Sequence, residues 1–167
     1  MSRIVPVVSW LISLWISKVF LFSLPYKFSG SPDTVHIFST IGLWMQEVIS
    51  VPLGIWFAAS GAIAVGSVEL LVSTVLLLPA VVFVLGMMGI VKKTGYRVYF
   101  HAIGGLMAFM VMSGAVFFHL ATPLGITVLN NGVSDGGSLF FAAVSILVMG
   151  LIMALLNFQV IRQNRHL

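Results

Sequence analysis

Glu69 is the side chain in this sequence whose surroundings most favour chemistry. It lies in the segment Gly66-Ser67-Val68-Glu69-Leu70-Leu71-Val72, whose other members are apolar or small. Such surroundings penalise a charge, so an acid there is expected to be functional or to be paired. Its carboxyl group could bind a ligand and exchange a proton with it, or it could bind a lysine and lock two helices together. The sequence leaves both roles open.

Two lysines are candidate partners for Glu69. Lys27 follows the first apolar segment, and Lys18 lies nine residues earlier, inside that segment. At about 1.5 Å per helical residue, Lys18 would lie about 13 Å deeper than Lys27. Each lysine also has a simpler role, because Lys18 could extend its ammonium group to lipid headgroups and Lys27 could anchor the helix end there.

His119 and Asp135 complete the set of candidates. His119 lies eighteen residues, or five helical turns, after His101, so the two rings share one helix face at opposite depths. Asp135 precedes Gly136-Gly137 and the fourth apolar segment, where it could cap a helix. The candidates for ligand binding or proton relay are therefore Lys18, Lys27, Glu69, His119 and Asp135. No metal site is predicted, because the histidines and acids are scattered and no H-x-x-H motif occurs.

The composition indicates an integral membrane protein. Of the 167 residues, 60% are hydrophobic and 7% charged, and the mean hydropathy is +1.16. Soluble domains carry about 25% charged residues. The composition therefore excludes a soluble enzyme, a nucleic-acid-binding domain and a disordered tail. The absence of cysteine excludes disulfides, Cys-rich zinc sites, Fe–S clusters and thiol relays.

Four apolar segments are long enough to cross a bilayer, which takes about 20 residues. They cover about residues 4–24, 55–91, 98–121 and 137–161 of a single transmembrane domain, 1–167. The first could be a signal peptide, but Lys18 interrupts it and no A-x-A site follows, so a retained span is expected. The second belongs to the long apolar stretch Val48–Val91 and is expected to kink near Pro79.

The basic residues predict the topology. With four spans and both termini cytoplasmic, every basic residue next to a helix end except Lys27 falls on the cytoplasmic side, as the positive-inside rule requires. These six are Arg3, Lys92, Lys93, Arg97, Arg162 and Arg165. Splitting the second span near Pro79 into two would give five spans and would separate Arg3 from the others.

The outer connection and the small residues complete the fold prediction. Ser31-Pro32-Asp33 is a good helix start, and Val35, Phe38, Ile41 and Met45 then recur at helical spacing, so a short amphipathic interfacial helix is expected over about 32–46. Small residues, which let helices approach closely in lipid, recur on one face of each span. They are Ser9, Ser13 and Ser17; Ala58, Ala62 and Gly66; Gly104, Gly105, Ala108 and Ala115; Gly150, Ala154 and Asn157. The predicted fold class is an all-α integral membrane four-helix bundle.

Several short motifs resemble the DoxX family of small four-span bacterial membrane proteins. They occur in the family's order and cover most of the chain. They are Leu24-Pro25-Tyr26-Lys27-Phe28-Ser29-Gly30-Ser31-Pro32 with Val35-His36-Ile37-Phe38; Val68-Glu69-Leu70-Leu71 with Leu76-Leu77-Leu78-Pro79; Phe118-His119-Leu120 with Leu124-Gly125-Ile126; and Asp135-Gly136-Gly137-Ser138-Leu139-Phe140. The resemblance implies a location in the inner membrane and a link to sulfur-compound oxidation that feeds quinone, or to oxidant-defence complexes. It also places Lys27, Glu69, His119 and Asp135 on the family's recurring polar positions.

Three functions are compatible with this sequence. The first is an accessory subunit of a membrane redox system that binds a quinone or similar apolar ligand near the outer helix ends, with a membrane or peripheral redox protein as partner. The second is a non-enzymatic assembly or scaffold protein whose Lys–Glu–His cluster is structural. The third is a small-molecule transporter, which would require an oligomer. Membrane lipids are expected partners, nucleic acid is not, and catalysis itself is left open.

Overall fold

The computed structural model describes residues 4–91 and 95–165, and these residues form five helices and one small hairpin. The elements are α1 Ile4–Ser29, α2 Pro32–Val48, α3 Val51–Met87, α4 Arg97–Ala121, β1 Leu129–Asn130, β2 Val133–Ser134 and α5 Ser138–Arg165. Four of these helices, α1, α3, α4 and α5, are long and apolar enough to cross a membrane. The predicted all-helical architecture is therefore confirmed.

Two serines define the starts of α2 and α3. The Ser31 side chain accepts a hydrogen bond from the backbone N–H of Thr34, and the Ser50 side chain accepts one from Leu53, with a proline in the first turn of each helix. These are the preferred residue types at helix starts. The predicted start of α2 is thus confirmed, and α3 begins at Val51, four residues before the expected start of the second span.

Pro25 and Pro79 lie in the interior of helices, beyond the first turn. α1 continues through Pro25 to Ser29, beyond the expected boundary at residue 24, and α3 continues through Pro79 to Met87. A proline removes one backbone hydrogen bond from a helix but does not have to end it when neighbouring helices pack around it. Pro79 is buried, so it lies where other helices surround α3.

The long helices pack antiparallel in chain order. α4 and α5 touch at Gly105 and Gly150, where a Cβ atom added to either glycine would lie 2.8 Å from the carbonyl oxygen of the other. α1 is joined to α5 by polar contacts: Asn157 donates to Ser9 over 2.9 Å, and the Trp15 indole N–H donates to Ser145 over 3.1 Å. The central apolar core includes Ile16, Phe20, Val72, Leu76, Ile146 and Met153. The predicted small-residue faces on α1, α4 and α5 are the faces that pack.

α2 packs along the first part of α3. Gly42 approaches Gly54 and Ala58, and Phe38 lies against Gly61 and Phe57. Of the predicted apolar stripe on α2, Phe38, Ile41 and Met45 are buried, whereas Val35 is exposed. The predicted stripe therefore packs within the chain, Phe38 on α3 and Ile41 and Met45 in a cluster with residues of the connection after α4.

A β-hairpin whose two strands are two residues long lies between α4 and α5, and it was not predicted. Leu129 pairs with Ser134, and Asn130 pairs with Val133. The turn residues Asn131 and Gly132 have φ angles of 51° and 79°. Positive φ at both positions is typical of the tight turn that Asn-Gly favours between two strands.

Candidate functional site

Lys27 and Glu69 form a salt bridge between α1 and α3. The Lys27 Nζ atom lies 2.5 Å from Glu69 Oε2. Ser23, one turn before Lys27, shares its one O–H proton between this oxygen, 2.8 Å away, and the carbonyl oxygen of Phe20, 2.7 Å away, and it accepts a hydrogen bond from Lys27 over 2.9 Å. The three side chains therefore form a closed hydrogen-bonded group, which we call the Ser23–Lys27–Glu69 group. The expectation that Glu69 pairs with a lysine is confirmed.

A glycine makes the approach of these helices possible. Gly66 lies one turn before Glu69 on α3 and faces the end of α1. A Cβ atom at Gly66 would lie 2.8 Å from the ring of Phe28 and 3.5 Å from Lys27 Cβ. The i,i+4 spacing of Ser23 and Lys27 and the i,i+3 spacing of Gly66 and Glu69 place each pair on one helix face.

The Ser23–Lys27–Glu69 group is largely shielded by protein. The Glu69 side chain is 4% exposed and that of Lys27 is 17% exposed. Both side-chain hydrogen bonds to the carboxylate fall on Oε2. The Lys27 ammonium and the Ser23 hydroxyl therefore converge on one carboxylate oxygen of Glu69 at the end of α1.

Lys18 does not belong to this group. It is exposed on α1, and its ammonium lies 5.8 Å from the centre of the Trp15 ring. Facing away from the packed side of α1, it cannot replace Lys27 as the partner of Glu69. The alternative pairing of Glu69 with Lys18 was therefore wrong.

His119 and Asp135 form a second polar group on other elements. His119 is buried at the end of α4, where its Nδ1 atom lies 2.7 Å from the carbonyl oxygen of Gly125 and its ring packs edge-on against Phe140. A carbonyl only accepts, so Nδ1 carries the proton and donates. None of the contacts found for His119 in residues 4–91 and 95–165 is with Lys27 or Glu69. The single cluster expected at the outer level is thus divided into two groups.

Asp135 organises the connection that enters α5. Its Oδ1 atom accepts from the backbone N–H of Val128 over 2.7 Å and of Gly137 over 2.9 Å, and its Oδ2 atom accepts from Leu139 over 3.1 Å. Partial burial raises the pKa of Asp135, whereas these donors and the nearby His119 lower it. The lowering effects together are larger, so the pKa lies below the ordinary value of 3.8. The predicted capping role is confirmed in this form.

A third polar group lies at the opposite end of the bundle. His101 is fully buried on α4, beneath the edge of Trp10, with ring centres 4.8 Å apart. Arg97, one turn earlier, places Nη1 3.5 Å from His101 Nδ1. His101 is covered in this way because the small-residue face of α4, which carries it, packs inward.

Two residues of these groups were missed by the sequence reasoning. Ser23 could have been found from its position one turn before Lys27, whereas Arg97 was counted only as a topology signal. In the part of the chain that the structure describes, no three His, Cys, Asp or Glu side chains are grouped to hold a metal ion. No family model matches the chain, and neither a curated protein nor a solved structure is similar to it.

Proposed function

We propose that this chain is a four-span protein of the bacterial inner membrane, with both termini in the cytoplasm. The length and apolar composition of α1, α3, α4 and α5 support this. The distribution of charge supports the orientation. All charged residues are basic in the sequence at four helix ends, which are the start of α1, the end of α3, the start of α4 and the end of α5. α2 then lies on the outer side, at the membrane interface, alongside the first part of α3.

Within that membrane, we propose an accessory subunit of a redox system that resembles the DoxX proteins and binds a quinone beside the Ser23–Lys27–Glu69 group. The observation that carries the proposal is the charged group itself, held between two apolar helices, since ionisable residues in such places are usually functional. A quinone needs a hydrogen-bond donor at its carbonyl oxygens, and its reduction to a quinol takes up two electrons and two protons. The Lys27 ammonium has one N–H left to donate after its bonds to Ser23 and Glu69. Glu69 would relay the two protons in turn, and the two electrons would come from a partner redox protein.

Quinone retention tests this proposal. The wild-type protein is purified from membranes in mild detergent, and its bound quinone is extracted and quantified by mass spectrometry. We expect Glu69→Gln and Lys27→Met to lower the retained quinone by about tenfold, because each removes a charge-assisted contact. Lys18→Met is the matched control, since Lys18 lies on the same helix outside the group, and it should retain the wild-type amount. Equal retention by all four proteins would refute the proposal.

A structural role is the second candidate, and the closed geometry favours it. The ammonium, the hydroxyl and one carboxylate oxygen satisfy one another and join α1 to α3. In that case Glu69→Gln should lower the melting temperature in detergent, because an uncompensated ammonium remains. The double variant Lys27→Met/Glu69→Gln should recover part of the loss, since removing both charges is less harmful than removing one. If the wild-type protein retains no quinone and the variants show these melting temperatures, the group is structural and the chain is an assembly protein.

A further inference from the structure

A groove at the basic end of the bundle has the form of a lipid site. It has a volume of about 690 Å³ and lies between α1, the last part of α3 and the first turn of α4. Its walls include Trp10, Leu14, Pro79, Phe83 and Phe100, and its charged member is Arg97. Ligand sites with mostly apolar walls and one or two polar groups usually have volumes of about 300–1,000 Å³.

No acid of this chain is available to neutralise Arg97. The sequence contains four acidic residues, and each lies away from this end: Asp33 and Glu47 in α2, Glu69 in its salt bridge with Lys27, and Asp135 before α5. Arg97 is half-buried, and its described polar contact is with the neutral acceptor His101 Nδ1. Six of the eight basic residues adjoin this end in the sequence, whereas none of the four acidic side chains does, so this end carries an excess of positive charge that attracts anions.

The start of α4 adds to the attraction for an anion. α4 begins without a side-chain cap at Tyr96, and Tyr96 and Arg97 both line the groove. The first N–H groups of a helix favour a negative ligand, phosphate above all. Arg97 also borders a smaller cavity of about 320 Å³, which carries the amides of Gln159 and Gln163. The guanidinium therefore lies between apolar walls and amide donors.

We propose that this groove binds an acidic phospholipid of the cytoplasmic leaflet. The phosphate contacts Arg97 at the start of α4, and an acyl chain follows the apolar walls formed by Trp10, Leu14 and Phe83. The excess of positive charge at this end favours an anionic headgroup over a zwitterionic one. The groove is distinct from the Ser23–Lys27–Glu69 group, which lies at the other end of α1.

Lipid competition in detergent tests the proposal. The purified protein is incubated with phosphatidylglycerol or phosphatidylcholine in mixed micelles, and bound lipid is counted by native mass spectrometry. We expect the wild-type protein to prefer phosphatidylglycerol at least about fivefold, the effect of one basic residue near an anionic surface. Arg97→Gln should abolish the preference. Arg162→Gln removes an exposed charge from the same end of the bundle and should keep it.

A second variant separates groove binding from general charge. Ala80→Phe fills the groove without changing any charge, so it should reduce the binding of phosphatidylglycerol while circular dichroism shows the helix content unchanged. Arg97→Lys keeps the charge and should keep a preference for phosphatidylglycerol, which assigns the loss in Arg97→Gln to the charge and not to a folding defect. The proposal is overturned if the wild-type protein binds both lipids equally, if Arg162→Gln loses the preference as fully as Arg97→Gln, or if Ala80→Phe binds like the wild type. Retention of a quinone or a fatty acid in the groove instead of the phospholipid would also overturn it.

Discussion

Gly105 on α4 and Gly150 on α5 face each other across the interface of these helices, where the carbonyl oxygen of each occupies the space that a side chain on the other would need. Helices in lipid associate through such close packing, because no hydrophobic force draws them together there. The backbones of α4 and α5 therefore touch directly at a point one turn after His101.

Gly105→Ala should destabilise the protein by about 1–3 kcal/mol, the usual effect of adding a methyl group to a tightly packed site. Its Cβ would lie 2.8 Å from the Gly150 carbonyl oxygen and 3.0 Å from the Ala154 nitrogen. Gly114→Ala, on the same helix, is the control, because a Cβ there meets nothing within 4 Å and the substitution favours the helix. Thermal unfolding in detergent measures both. Equal melting temperatures for the two variants would contradict the described interface.

Ser23→Ala should lower the stability by about 1–2 kcal/mol, because Glu69 loses one hydrogen-bond donor and the Lys27 ammonium loses one acceptor. Ser29→Ala, at the exposed end of the same helix, should leave the stability unchanged. Chemical denaturation monitored by circular dichroism compares the two. A stability loss that is the same for Ser29→Ala would show that Ser23 has no special part in the pair.

The stability that Asp135 contributes should depend on pH. Because its pKa in the folded protein is lower than its ordinary value of 3.8, its contribution is fully present above that value and is lost as the pH falls through the folded pKa. The melting temperature of the wild type should therefore exceed that of Asp135→Asn at neutral pH, and the difference should shrink on acidification below about pH 4. A difference that stays constant down to acid pH would contradict this assignment.

The proposed topology predicts the labelling of introduced cysteines, since the native chain contains none. Cysteines replacing Ser2, Thr94 and Gln163 should resist a membrane-impermeant thiol reagent in intact cells, because the basic ends of the spans are retained in the cytoplasm. A cysteine replacing Ser29 should react. Permeabilised cells provide the control, in which all four should be labelled. Labelling at position 94 from outside would rule out four spans.

The sequence predicted the elements of this fold better than their contacts. The four long helices and the start of α2 follow from hydropathy and from Ser31-Pro32, which are local signals. Which lysine meets Glu69 depends on the rotation of α1, and the buried serines on α1 set that rotation only once α5 has packed against it. A local pattern cannot contain that information.

The hairpin and the separation of His119 and Asp135 from Glu69 were not predicted, for different physical reasons. The hairpin was signalled by Asn131-Gly132, whose residues tolerate positive φ, but the strands on either side are too short to show a period. His119 and Asp135 were expected beside Glu69 because all three were assigned to the same end of the bundle. Equal depth does not ensure contact, and the described contacts of His119 are with the connection around Gly125 and with α5.

The salt bridge between Lys27 and Glu69 joins residues that are 42 positions apart, and this separation has a consequence for biogenesis. A ribosome adds about 5–20 residues per second, so α1 is synthesised about two to eight seconds before its counter-ion emerges. In the proposed membrane arrangement, Lys27 lies among lipid headgroups during that interval, where an ammonium is tolerated. The salt bridge between α1 and α3 then forms only after Glu69 has arrived, so that in this arrangement Glu69 completes the assembly of the first two spans.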